Sequence, residues 1–179
     1  MLSKSFYNQK TLLVAKNILG CILARKIENQ ISKYIITEVE AYNGPHDLAS
    51  HASRGMTERN KIMFGAPGLI YIYLVYGMHY MLNIVTEEEG YPAAILIRAI
   101  EPLDENIDKN LFNGPAKLTR QLGINKNFNN LAIYKKETGL WVEKRPEPIQ
   151  NTQIKKAKRV GIDYAGEYRD KLWRFIYSK

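Results

Sequence analysis

Leu69-Ile-Tyr-Ile-Tyr-Leu-Val-Tyr76-Gly77-Met78-His-Tyr-Met-Leu-Asn83 is the most ordered text in the chain. Its first half, Leu69 to Tyr76, is uncharged and rich in β-branched and aromatic residues, the composition of a buried strand. Side chains alternate along a strand, so Tyr71, Tyr73 and Val75 share one face while Ile72, Leu74 and Tyr76 share the other. Gly77 breaks the run with the backbone freedom of a turn, and Met78 to Met81 resume it. The reading is a β-hairpin whose tip is Tyr76-Gly77-Met78.

The rest of the composition narrows the setting. A chain of 179 residues, 45% of them hydrophobic, suits one globular domain over 1–179. A formal net charge of +8 points to a polyanionic partner. Cys21 stands alone, which excludes an internal disulfide and suits a reducing, intracellular compartment: cytoplasmic or nucleoid-associated, nuclear in a eukaryote. The first residues lack the apolar core of a signal peptide, and Lys16 and Asn17 interrupt the one early apolar run, so no membrane association is expected.

Outward from the hairpin, residues 9–20 carry the apolar spacing of a core helix stopped by Gly20. Ile22 to Ile27 and Ile31 to Glu40 read as two strands around a polar turn. Alternation places Glu38, Glu40 and Tyr42 on one face of the second strand, where carboxylates are costly to bury unless paired or used. Ala93 to Ile100 reads as a buried strand with one embedded charge, Arg98, which calls for a carboxylate or anion. Thr57 is positioned to cap a short helix over 58–64, and a second helix is expected over 116–122. Further strands are expected at 131–134, 140–143, 159–162 and 172–177. Lys155, Lys156, Lys158 and Arg159 form a basic patch suited to tracking phosphates. The loop 43–56 holds His46 and His51, but no His-Glu-x-x-His or Cys-x-x-Cys spacing, so no metal site is expected.

Taken in order, these segments resemble a known family. Glu38-Val-Glu40-Ala-Tyr42-x-Gly44-Pro45-x-Asp47-x-Ala49-x-His51, Arg59-Asn60-x-x-Met63-Phe64 and Tyr71-x-Tyr73-x-x-Tyr76-Gly77-Met78-His79 are similar to the alkyladenine (3-methyladenine) DNA glycosylases. Asn83, Leu96-Ile-Arg98-Ala-x-Glu101-Pro102, Asn113-Gly114-Pro115-x-Lys117-Leu118 and Arg159-Val160-Gly161-Ile162 continue the resemblance along nearly the whole chain. Two departures stand out: Glu58 where the family commonly has proline before Arg59, and Leu48 where proline is common after Asp47.

The resemblance implies a single α+β domain with a curved, mainly antiparallel sheet, flanking helices and a protruding hairpin. It also implies a cofactor-free, monomeric hydrolase that flips alkylated or deaminated purines out of double-stranded DNA and leaves an abasic site. By position it assigns Glu40 as the base that activates water and Arg98 as the arginine beside that water. Tyr42, His51 and Tyr73 would sandwich the extruded base, and Asn83 would screen against guanine. Tyr76, with Met78 at the same tip, would wedge into the duplex.

Physical chemistry fits those assignments. A carboxylate can both orient water and stabilise an oxocarbenium-like state. An alkylated, cationic purine favours an aromatic cage. No lysine stands beside Glu40 in sequence as a Schiff-base nucleophile, so strand cleavage is not expected. The competing class is a non-catalytic nucleic-acid-binding module, which explains the charge and the aromatics but not Glu38 and Glu40, since carboxylates repel phosphate.

Overall fold

The longest strand, β2 (Gln30–Tyr42), organises the molecule because three others pair with it. The computed structural model describes residues 1–178; Lys179, the last residue of the expected domain, lies outside them. Strand β1 (Ile22–Ile27) and β2 form the first hairpin, and β3 (Ile70–Val75) and β4 (His79–Val85) form the second. With β5 (Ala94–Pro102) and β6 (Leu140–Glu143) the order is β3-β4-β5-β2-β1-β6. Two short strands, β7 (Ile154–Ala157) and β8 (Arg174–Tyr177), add on through a β8–β2 pairing. All of these pairings are antiparallel, so the fold is α+β around one open sheet, as expected.

Strand period decides what each face holds. In β3, Ile70 and Ile72 enter the main core with Ile36, Val39, Leu82, Ile84, Ile95 and Ile97, while Tyr71 joins a smaller cluster with Ala52, Met63 and Ala94. Each fully buried aliphatic side chain of the main core stabilises the fold by about 1.5–3 kcal/mol. Register between β2 and β5 shifts between Ile36 and Val39, a bulge that bends β2 just where Glu38 lies. Arg98 on β5 and Arg174 on β8 therefore arrive on either side of the β2 carboxylates.

Helices are short. The first is α1 (Lys4–Tyr7); the expected core helix is α2 (Thr11–Asn17), trimmed by a turn at each end, with Gly20 at φ 73. The N-terminus of α2 is held by Glu87, which accepts from Thr11 N at 2.9 Å and Thr11 Oγ1 at 2.8 Å. A glutamate from the acidic turn 86–90 thus closes the start of a helix. The helix expected over 116–122 is α3 (Pro115–Gln121).

Four expectations need correction. Over 58–64 only Lys61–Phe64 is helical, as a 3-10 turn, because Asn60 and Thr57 bond to each other across a tight turn instead. Residues 131–134 form no strand; they meet the edge of β3 through the Leu69–Ala132 bridge and the flanking bonds from Ile70 N to Leu131 O and from Ile133 N to Gly68 O. Residues 159–162 form no strand either, since their polar groups go to Glu40, Ala41 and Asp47 rather than to a ladder. Of the expected basic patch, Arg159 is buried, while Lys155 and Lys156 stand exposed on strand β7.

Candidate active site

A cavity of about 540 Å³ opens on the tyrosine face of the sheet. Strands β2 to β5 contribute Tyr42, Tyr71, Tyr73, Asn83 and Arg98, and loops contribute His51, Val160 and Tyr164. Of the expected site residues, Tyr42, His51, Tyr73, Tyr76, Asn83 and Arg98 line it directly. Met78 stands exposed at the hairpin tip, outside the lining.

Glu40 lies behind that lining and is 0% exposed. Its Oε2 accepts from the Tyr42 hydroxyl at 3.0 Å, its Oε1 accepts from Val160 N at 2.8 Å, and Arg98 Nη1 stands 3.3 Å from Oε1. All three partners line the cavity, so the carboxylate is one residue deep from it. Burial raises the Glu40 carboxyl above its ordinary range, against the opposing pull of Arg98, the Val160 N–H, Tyr42 and Arg159. The Tyr42 phenol is pushed well up by burial and then by Glu40, so it remains a hydrogen-bond donor.

Arg98 finds the carboxylates its burial calls for. Its Nε donates to Glu38 Oε1 at 2.9 Å while Nη1 faces Glu40, and Arg174 Nη1 reaches the same Glu38 oxygen at 3.1 Å. The chain Arg174–Glu38–Arg98–Glu40 crosses three strands and fixes the orientation of the guanidinium at the cavity wall.

The aromatic wall is built around His51. Its Nδ1 lies 3.0 Å from the Tyr71 hydroxyl, and its ring meets Tyr73 edge to face at 4.4 Å between centroids. Asn60 anchors this loop by donating to His51 O at 2.8 Å and Gly55 O at 2.9 Å. His51 and Tyr73 touch, which leaves no room for a purine between them. Tyr42 makes no ring contact with either among the described residues. Tyr42 and the His51–Tyr73 pair both line the cavity. Burial, then the nearby Arg59, depresses His51 to about 4, so the imidazole is neutral near pH 7. Burial raises Tyr71 to about 12.

Asn83 is buried, with Nδ2 donating to Tyr71 O at 3.1 Å and Met81 O at 3.2 Å. Both amide hydrogens are thus committed to backbone, and the side chain stands as a fixed obstacle at the cavity wall.

At the tip, Tyr76 and Gly77 have φ of 52 and 70, and Met78 N donates to Val75 O at 3.1 Å. Positive φ at both central positions of the Val75–Met78 turn lets a three-residue loop, 76–78, close between the paired Val75 and His79. A tyrosine in that left-handed region costs about 1–2 kcal/mol, and asparagine or glycine would avoid most of it. Yet Tyr76 is 87% exposed and Met78 70% exposed, so neither gains intramolecular packing in return. The turn holds two large apolar side chains out into solvent beside the cavity mouth.

One component escaped the sequence. Arg159, expected among phosphate-tracking lysines, is buried instead: Nη1 and Nη2 grip the Asp47 carboxylate at 2.5 and 2.8 Å. Nη1 also donates to Ala41 O at 2.9 Å. No charge pattern links positions 112 apart, and the adjoining lysines disguise Arg159 as surface. The only local signal is the Arg159-Val160-Gly161-Ile162 segment itself.

Comparison with known proteins agrees with this architecture. The family model described as Methylpurine-DNA glycosylase (MPG) matches residues 5–179. A protein of Ehrlichia chaffeensis named "Putative 3-methyladenine DNA glycosylase" is 43% identical, over 98% of this chain and 92% of its own length. Proteins of the same name from Clostridium perfringens and Methanocella arvoryzae are 41% and 42% identical, over 97% and 100% of this chain and 94% and 92% of theirs. The chain belongs to the methylpurine-DNA glycosylase family.

Proposed function

We propose that this protein removes alkylated or deaminated purines from duplex DNA by hydrolysing the N-glycosidic bond with water activated by Glu40. Membership in the family makes it a DNA glycosylase, a hydrolase whose substrate is DNA and whose setting is DNA repair. The relatives' name supplies 3-methyladenine as the first base to test. The observation that carries the reading is the buried Glu40 carboxylate, hydrogen-bonded directly behind an aromatic-walled cavity.

In the mechanism we infer, Tyr76 and Met78 enter the stack as the damaged nucleotide rotates out, offsetting the cost of about a few kcal/mol for extrusion. The base enters between Tyr42 and the His51–Tyr73 pair, where a neutral imidazole and neutral phenols accept a cationic purine without repulsion. Glu40 takes a proton from water as that water attacks the sugar carbon, and the carboxylate stabilises the positive charge developing there. Arg98 fixes the site's geometry, with Glu38 and Arg174 steadying it from behind. The electron pair of the broken bond leaves with the purine, which the positive charge of alkylation has already made a good leaving group.

No lysine lines the cavity among the described residues. That supports a monofunctional enzyme, without a Schiff base and without strand cleavage.

The test is incubation with duplexes carrying 3-methyladenine, 7-methylguanine, hypoxanthine or ethenoadenine. The expected result is release of free base and an intact abasic strand that breaks only on alkaline treatment. Tight binding to all four with no base released would instead favour a non-catalytic DNA-binding module.

A further inference from the structure

We propose that Arg159, in its buried pair with Asp47, is a positioning residue that sets Tyr42 and the Val160 N–H in register with Glu40; the inference rests on the glycosylase reading. The guanidinium carbon lies 4.9 Å from the Tyr42 ring centroid and 5.1 Å from that of Trp173, so the cation is stacked between two aromatic rings. Its hydrogen bonds run to Asp47, to Ala41 O and, at 3.3 Å, to Tyr168 O. Asp47 in turn accepts from Asn43 N and Ala49 N, which fixes the loop leading to His51.

Four segments therefore converge on one side chain: the end of β2, the 43–50 loop, the 166–170 turn and the residue before β8. The peptide next to Arg159 is the one whose N–H holds Glu40 at 2.8 Å. Both partners of the ion pair have fully buried side chains. A buried bidentate pair of this kind has one geometry, and loosening it leaves an uncompensated charge, so it transmits position rather than flexing. Tyr42, which would face the extruded base, carries Arg159 against its ring and carries Glu40 on its hydroxyl. A shift of Arg159 would move the base-stacking wall and the carboxylate's donor together, and a misplacement of about 1 Å can cost about a hundredfold in rate.

The experiment compares Arg159→Lys and Trp173→Leu with the unchanged protein. Lysine keeps the charge but loses the two-point fork and the flat stacking face. Trp173→Leu leaves the ion pair whole and removes one of the two rings stacked on it. Single-turnover excision, affinity for a lesion duplex, thermal melting and the pH profile are read for each. Arg159→Lys is expected to melt as a folded protein, lose at least about tenfold in excision, and keep lesion-duplex Kd within about threefold.

Its acid limb is expected to move to higher pH, because the Val160 N–H that favours the charged carboxyl is displaced. The charged or titratable groups around Glu40 are Tyr42 and Glu38 on its own strand, Tyr73 from β3, Arg98 from β5, and Arg159 itself, with Arg174 of β8 behind Glu38. None of them is altered in charge by the lysine variant. Trp173→Leu is expected to show the same split at smaller size, and it decides the matter if the lysine variant does not fold. Folded variants with excision within about twofold of the unchanged protein would overturn the proposal. So would equal losses of rate and affinity with an unmoved pH profile, the signature of a merely structural prop. Failure of the unchanged protein to release any damaged purine would remove the functional reading, and this inference with it.

Discussion

Tyr42 donates its phenolic hydrogen to Glu40 Oε2 across 3.0 Å, so a single side chain both walls the cavity and holds the carboxylate behind it. In the proposed mechanism, recognition of the base and activation of water are joined at this one residue. Tyr42→Phe separates them by keeping the ring and removing the donor. A hydrogen bond to a charged group contributes about 1.5–3 kcal/mol, so excision should fall by about ten- to a hundredfold while lesion affinity is largely kept. Loss of affinity in step with rate would show that the hydroxyl serves binding alone.

The pH dependence has a definite sign. Burial raises the Glu40 carboxyl, so the proposed general base is protonated and lost as pH falls through a value above its ordinary 4.5. His51, depressed to about 4, stays neutral throughout that window. The acid limb of single-turnover excision should therefore lie above pH 4.5 and stay in place in His51→Asn. A limb that disappears in that variant would transfer the titration to the imidazole.

Much of this arrangement could be read from residue order. Period-two alternation separated Ile70 and Ile72 from Tyr71 and Tyr73, and Gly77 marked the turn. The isolated charge Arg98 called for carboxylates and meets Glu38 and Glu40. What stayed hidden depends on contacts distant in sequence. Asp47 and Arg159 look like an ordinary loop acid and an ordinary basic run until the fold brings them together. Strand β7 alternates too weakly to be read as a strand, because its two central residues are exposed lysines. The apolar stretch 131–134 looked like a strand; Leu131 O and Ile133 N do bond to the chain at the edge of β3, but the pairing stops at the single Leu69–Ala132 bridge.

Asn83 is held by two backbone carbonyls and cannot swing away from an entering base. Guanine differs from hypoxanthine by an exocyclic amine, so a fixed side chain placed against that amine excludes guanine by bulk. Asn83→Ser should release undamaged guanine at a low rate and leave hypoxanthine excision largely intact. Unchanged discrimination would place the selectivity elsewhere in the cavity.

Tyr76 spends backbone strain to remain in solvent, and a duplex would supply the stacking that the fold withholds. Filling the gap left by an extruded nucleotide recovers about 1–3 kcal/mol. Tyr76→Ala should therefore excise poorly from a paired duplex, and the defect should shrink when the lesion lies in a mismatch or bulge, where extrusion is already cheap. Tyr73→Ala, lost from the cavity wall, should impair both substrates alike. Equal losses on the two substrates for Tyr76→Ala would contradict the wedge.

In the proposed mechanism the buried carboxylate of Glu40 performs the hydrolysis. Single-turnover excision of a damaged purine by Glu40→Gln, with lesion-duplex affinity measured in parallel, tests it most directly. Glutamine preserves the size of the side chain, and its one amide oxygen can still accept from the Val160 N–H while the Tyr42 hydroxyl turns to accept from its amide nitrogen, but it cannot take a proton from water. Affinity should hold while excision falls by at least about a hundredfold. Excision at close to the unchanged rate would contradict the assignment and move the chemistry to Glu38 or away from hydrolysis altogether.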